Sequence, residues 1–427
     1  MKIMEIFKDS LFKNSIYLIS TNFVSSGLAF IFWVIAARLY TSQDIGIASA
    51  IFSGLSLVSM IGSIGLPVAL LYYLPRNNDT NKIINSCIIT GIISSIIFSF
   101  IFIFGLKIWA PGLLSILDNL ENNLIFVIST VAVSVSLIIG SSFIAGKRSS
   151  FQMIKEASYH FLKMFPLVLF ISFGAMGIFI SIGIGLILSI IIGFILLSKV
   201  WHYSPELIID TTIIKNMASF SVGNHVANIF YNLPVLILPI MILNMTSAKF
   251  AGYFYIAMMM ATLLYNISNS TSSAFLVEAT DKEKFDDIIN KTIKFNIMIL
   301  IPGILFLIIF GRFILNIFNP DYGENATMTM LILSLTSLPL SLVGIFTSVR
   351  NAQNRVLSMI KMDMFIALTT LILSIPLIRM MSIEGAAISF LIANTIGALI
   401  VLIRIKNPKE YTIRLLNDIK NDVSHNL

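Results

Sequence analysis

The chain has 427 residues, of which 57% are hydrophobic and only 11% charged, against the roughly 25% charge usual in soluble domains. With a mean hydropathy of +0.93, it carries more apolar surface than a water-soluble core can hide; twelve helices of about 20 residues would consume nearly all of it in crossing a bilayer. One cysteine, Cys87, and four histidines exclude a disulfide framework and a cysteine-based metal cluster, and no metal or other cofactor is called for.

Apolar runs separated by short polar ones predict six spans near Asn14 to Ala37, Ile45 to Leu74, Ile83 to Trp109, Asn122 to Ala145, Met153 to Ala175 and Gly177 to Val200. Six more follow near Lys215 to Leu243, Phe250 to Val277, Thr292 to Phe318, Ala326 to Val349, Val356 to Arg379 and Ile383 to Ile405. Lys2, Lys8 and Lys13 precede the first span, but its apolar core is longer than a signal-peptide core, so it is read as an uncleaved helix. Most lysines and arginines, among them Arg76, Lys82, Lys147, Arg148, Lys215, Lys291 and Arg404, fall on one side, with Arg38, Lys107, Lys249, Arg312 and Arg379 opposite. This asymmetry predicts a multi-pass protein of the cell membrane with both termini cytoplasmic, and it accounts for the formal charge of +7 without a nucleic-acid partner. No segment between spans exceeds about 15 residues, too short for an acidic catalytic domain, so the expectation is not an enzyme.

An offset of about 205 residues brings the halves into register. Tyr40 to Gly46 meets Met245 to Gly252 with one insertion, Ile83-Ile84-Asn85 meets Ile288-Ile289-Asn290, and Met153-Ile154-Lys155 meets Met359-Ile360-Lys361. The expected fold is therefore an all-α polytopic membrane protein of twelve transmembrane helices, built as two parallel six-helix repeats around a central cavity, with lobes at 1–206 and 207–427. Two such bundles can rock between inward-open and outward-open states, which predicts an alternating-access transporter.

Ala37-Arg38-Leu39-Tyr40-Thr41-Ser42-Gln43-Asp44-Ile45-Gly46 resembles the first-hairpin signature of the polysaccharide flippase family, with Thr41-Ser42 where that family often has Gly-Pro. Gly65-Leu66-Pro67, Tyr73-Leu74-Pro75-Arg76 and Ile383-Glu384-Gly385-Ala386-Ala387-Ile388 resemble further stretches of the same family. Its superfamily also contains lipid II flippases and multidrug extruders. The resemblance implies a monomer among membrane lipids whose partner is a lipid-linked oligosaccharide, an isoprenoid diphosphate carrying sugar, turned from the cytoplasmic to the outer leaflet for glycan assembly.

Residues suited to that task occur in five of the spans. Glu156, His160 and Lys163 share one stripe of the fifth span, where a cation would suit a diphosphate. Asn224, Asn228 and Asn232 recur every fourth residue of the seventh, beside His225 and Tyr231; amides and rings are what sugar hydroxyls and pyranose faces require. Asn266 and Asn269 with Tyr265, and Asn22 with Ser26, extend the same polar character to spans eight and one. Arg38 matches the helix-one arginine of the family and is also placed to cap a helix C-terminus. Arg350, Arg355, Lys361 and Asp363 flank the start of span eleven as an access site, and Pro234 and Pro239 allow a bend in span seven. The alternative is a cation-coupled multidrug exporter, which calls for an intramembrane acid that spans one and seven lack.

Overall fold

The computed structural model describes residues 10–77, 79–278, 285–353 and 355–405, and among them every regular element is a helix. Helix α1 (Ser10–Leu39) is followed at once by α2 (Ser42–Gly62). Thr41 and Asp44 form a reciprocal cap: the Asp44 amide donates to the Thr41 hydroxyl at 3.1 Å, and the Thr41 amide to the Asp44 carboxylate at 3.2 Å. The second carboxylate oxygen accepts the Ala175 amide at 3.0 Å, so Asp44 holds two helix starts together.

The predicted second span is in two pieces. Ile64 (φ 49°) and Gly65 (φ 74°) take left-handed conformations, and α3 (Leu66–Tyr73) resumes beyond them. A methyl at Gly65 would lie 2.6 Å from the Ser221 hydroxyl and 3.0 Å from the His225 Cβ, so both φ and space require glycine. Next come α4 (Thr80–Phe104), α5 (Leu120–Ala145), α6 (Ser149–Leu162) and α7 (Met164–Leu169). The predicted fifth span is therefore also divided, at Lys163. The chain continues with α8 (Ala175–Trp201), α9 (Thr211–Met245), α10 (Ala248–Glu278) and α11 (Phe285–Phe318). Short α12 (Pro320–Asn325) and α13 (Thr327–Leu335) lead to α14 (Ser337–Ala352) and α15 (Val356–Ile405).

Ten helices among the described residues are long and apolar enough to cross a membrane. The last is 50 residues, about 75 Å if straight, more than twice the roughly 30 Å of hydrocarbon. It is not straight. Ser382 adopts φ 53°, ψ −127°, and a methyl at Gly385 would strike the Leu377 carbonyl oxygen, an approach possible only where the chain doubles back. An equivalent reversal joins α7 to α8, where Gly174 has φ 55°, ψ −134° and a methyl at Gly177 would strike the Phe170 carbonyl oxygen.

One core cluster combines Phe32, Ile45, Phe126 and Phe179 with Phe254, Phe318, Tyr322 and Leu333 of the second half. A second, at the opposite end of the bundle, joins Leu70, Ile83, Cys87 and Phe143 to Met217 of α9. The first turns of α9 thus pack on the N-terminal half, across the boundary expected at 206/207. The segment before α9 is fastened to α4. Asn85 donates to the Ser204 carbonyl at 3.0 Å and accepts from the Tyr203 hydroxyl and from the Glu206 amide at 3.2 Å. Ser86 accepts from the Asp210 amide at 2.9 Å, and Lys82 pairs with the Asp210 carboxylate at 2.7 Å. Burial pushes the Tyr203 hydroxyl up to about 12, keeping it a proton donor.

Candidate substrate site

The stripe on α6 turns its charges inward. Lys155 is fully buried, its ammonium 2.6 Å from the Ser136 hydroxyl and 2.8 Å from Glu156. Glu156 also accepts from the Gln152 amide at 3.1 Å, so this acid is engaged within the N-terminal half. Lys163 follows at the break between α6 and α7 with only 3% exposure. Its ammonium sits over the Phe32 ring at 4.2 Å and the Tyr159 ring at 4.6 Å. Two π faces can hold a cation without an anion, and α1, through Phe32, covers the lysine. The His160 imidazole lies against Tyr159, its buried Nδ1 without a hydrogen-bond partner among the described residues.

The amides of α9 divide between burial and exposure. Asn224 has a buried carbonyl oxygen without a partner among the described residues, and His225, also buried, lies beneath Gly65. One helical turn on, Asn228 is exposed and accepts from the Asn232 amide at 2.9 Å. Tyr231 donates to Asn269 of α10 at 2.8 Å, and Asn266 is exposed one turn before Asn269 on that helix. The structure thus brings Asn228, Tyr231, Asn232, Asn266 and Asn269 onto adjoining faces of α9 and α10, while His160 and Lys163 lie on α6 against α1. Asn22 is exposed on α1. Tyr265 points away from this surface: it is buried and donates to the Leu333 carbonyl at 2.6 Å.

Arg38 reaches the other half of the chain, where Nε donates to the Ile317 carbonyl at 2.7 Å. Of the residues grouped at the start of span eleven, Arg350 is buried with its guanidinium over the Phe346 ring at 5.1 Å, and Lys361 is exposed. Asp363 stands apart from both. It is 5% exposed and lines a small cavity with Tyr231, Pro234, Val343, Phe390 and Asn394. No hydrogen bond or ion pair among the described residues engages its carboxylate. Pro234 removes the amide that would bond the Phe230 carbonyl, adding a second oxygen near this cavity, which Phe230 also lines. The signal for Asp363 was present in the sequence, an acid eight residues inside an apolar span, but the basic residues around it suggested a headgroup-level position.

Long apolar helices, ten of them among the described residues able to cross a bilayer, make this a multi-pass membrane protein, with polar amides exposed on α9 and α10. The fold agrees. The chain superposes on a lipid II flippase, MurJ, in an inward closed conformation, with a TM-score of 0.75 at 16% identity, covering 92% of this chain and 87% of that one. An inward-facing multidrug resistance transporter of the MATE family and MOP superfamily gives 0.67 at 13% identity, with 90% and 95% coverage. A MOP superfamily transporter from Pyrococcus furiosus, described by a reversed polarity of its binding pocket, gives 0.58 at 11% identity, with 91% of each chain covered. No protein of curated function matches by sequence. The pattern of the family described as polysaccharide biosynthesis protein matches residues 11–276, more than half of the chain, and the chain belongs to that family.

Proposed function

We propose that this protein is an alternating-access flippase that turns isoprenoid-diphosphate-linked oligosaccharide from the cytoplasmic to the outer leaflet. In this reading the chain crosses the membrane twelve times as two parallel six-helix repeats, with both termini cytoplasmic. The reversals at Gly174 and Ser382, 208 residues apart in sequence, support the repeat: one splits α15 into two crossings, and the other lets α6 and α7 serve as one. The basic residues then set the end that carries Thr41 outside. The observation that carries the substrate reading is the amide and phenol surface of α9 and α10. An amide facing hydrocarbon costs several kcal/mol, so exposed amides at this depth require a wet cleft, and sugar hydroxyls match their donors and acceptors. Lys163 supplies the cation for the diphosphate once α1 uncovers it. The test uses the purified chain in proteoliposomes loaded with isoprenoid-diphosphate oligosaccharide; movement of sugar to the lectin-accessible leaflet is expected. Equal movement in protein-free vesicles would remove the proposal.

A second reading, the cation-coupled exporter, gains one specific observation in Asp363. Spans one and seven still lack an acid, yet a buried carboxylate facing a cavity is a place for a proton or a monovalent cation. This supports coupling of the flippase to an ion gradient, and a flippase and an exporter would share it. Transport of a cationic dye but not of the lipid-linked sugar would favour the exporter.

A further inference from the structure

Contacts between the two halves at the Thr41 end come in matched pairs. In the last turn of α1, Arg38 Nε donates to the Ile317 carbonyl at 2.7 Å and Nη2 reaches the Asn316 carbonyl at 3.5 Å, at the end of α11. In the last turn of α9, the Asn244 amide donates to the Trp109 carbonyl at 3.0 Å and accepts from the Gly112 amide at 2.9 Å, in the segment after α4. Arg38 and Asn244 are 206 residues apart, Trp109 and Asn316 207, and Gly112 and Ile317 205. One contact is therefore the image of the other. In each, the first long helix of one half holds the other half at, or just beyond, the end of its third long helix.

The glycines beside them repeat the pattern. A methyl at Gly46 would strike the Ala248 carbonyl oxygen, and a methyl at Gly252 would meet the Ser42 carbonyl. Ser42 pairs with Ala248, and Gly46 with Gly252, at the same offset of 206. A contact in which residue i meets j while their counterparts meet in reverse is isologous, so a pseudo-two-fold axis passes between α2 and α10.

We propose that Arg38 and Asn244 are paired positioning residues, two latches that hold the outer face shut. This deepens the flippase reading, from which it takes which face is outer. The carbonyls at a helix end have no intrahelical donor, and Arg38 supplies one from the opposite half. Rocking about the axis must break both latches together, because each spans the two halves. Arg38 and its carbonyl partners lie at the exposed end of the bundle, where water replaces the lost donors, so the latch is reversible in a way that a buried ion pair is not. In this proposal Arg38 acts in closure. Its charged donor makes the stronger bond of the two, whereas Asn244 uses both ends of a neutral amide.

The test needs no substrate, so its failure is distinct from failure of the flippase reading. Spin labels at Lys107→Cys and Glu324→Cys, both exposed at this end, report the separation of the halves in a Cys87→Ala background. The parent should show mainly the short distance. Arg38→Ala should raise the population at longer distance about tenfold and Asn244→Ala about threefold, since bonds to charged groups are worth roughly twice neutral ones. Arg38→Lys should restore most of the closed population. A distance distribution unchanged in the double variant would overturn the proposal. If Arg38→Ala fails to accumulate, Arg38→Lys and Asn244→Ala carry the same comparison, and an unchanged distribution in Asn244→Ala would overturn the pairing.

Discussion

Replacing Lys163 by methionine separates its role in transport from its role in folding. A lysine at mid-bilayer costs roughly 2.5–3.5 kcal/mol on insertion scales. Two rings at 4.2 and 4.6 Å each return up to about 2 kcal/mol where water is excluded, so the ammonium is close to break-even in stability. Methionine fills similar volume, makes favourable contacts with the same rings, and removes the desolvation cost. Lys163→Met should therefore change stability by less than about 1.5 kcal/mol, a few degrees in melting temperature. Transport should fall by tenfold or more, because an ammonium is worth far more to a phosphate in a low-dielectric site than in water. Lys163→Arg, which keeps the charge and stacks on aromatic faces, should retain part of the activity. The assay is accumulation of lipid-linked oligosaccharide in the inner leaflet, read beside protein abundance and thermal unfolding in detergent. Full activity in Lys163→Met, or inactivity that merely follows loss of the protein, would refute the phosphate role.

Asn228→Ala and Asn269→Ala should each slow transport by about three- to tenfold, the worth of one neutral hydrogen bond, and the leaflet assay reads both. Asp363→Asn should abolish dependence of transport on the proton or sodium gradient while raising thermal stability, since a buried unpaired carboxylate is costly; gradient-dependent flux in vesicles checks it. The Lys82 hydrogen bond, with that of the Ile213 amide, holds the Asp210 carboxyl below the usual carboxylate range. Its contribution to stability is therefore complete above about pH 4, the unfolded value, and is lost as pH falls through the depressed folded value. Melting curves below pH 5 should show this acid sensitivity reduced in Asp210→Asn. Epitope tags at both termini should be reached only after the membrane is permeabilised.

Hydropathy made the long helices legible, because the bilayer forces long apolar runs to satisfy their backbones internally. The breaks were not. Ser382 carries no glycine or proline to mark a reversal, and its left-handed conformation is imposed by the surrounding packing. Lys163 was expected on a stripe with Glu156 and His160, but the helix ends at that residue and α1 supplies Phe32 as its lid, a contact far away in sequence. The amides of α9 differ along one stripe: Asn228 is exposed and bonded to Asn232, while Asn224 has a buried carbonyl oxygen, a difference of packing that the four-residue spacing does not show. Arg38 was recognised as a helix cap, but the helix it caps lies 279 residues along the chain, beyond any local pattern. The same offset that aligned the hairpins also relates Arg38 to Asn244, two residues of different chemistry that no similarity score would pair.

The segment from Tyr203 to Asp210 looks like the natural seam of the molecule, a polar joint between two similar bundles where an engineer would split the chain or insert a reporter. Asn85, Ser86 and Lys82 make it the wrong place. Bonds from Tyr203, Ser204, Glu206 and Asp210 to α4 bind it down, and α9 begins already seated on the N-terminal bundle. A fragment ending at residue 206 would expose the apolar patch around Cys87 that Met217 covers, whereas one extended through the first turns of α9 would carry its own cover. Complementation from two separately expressed pieces should therefore succeed only when the cut falls elsewhere.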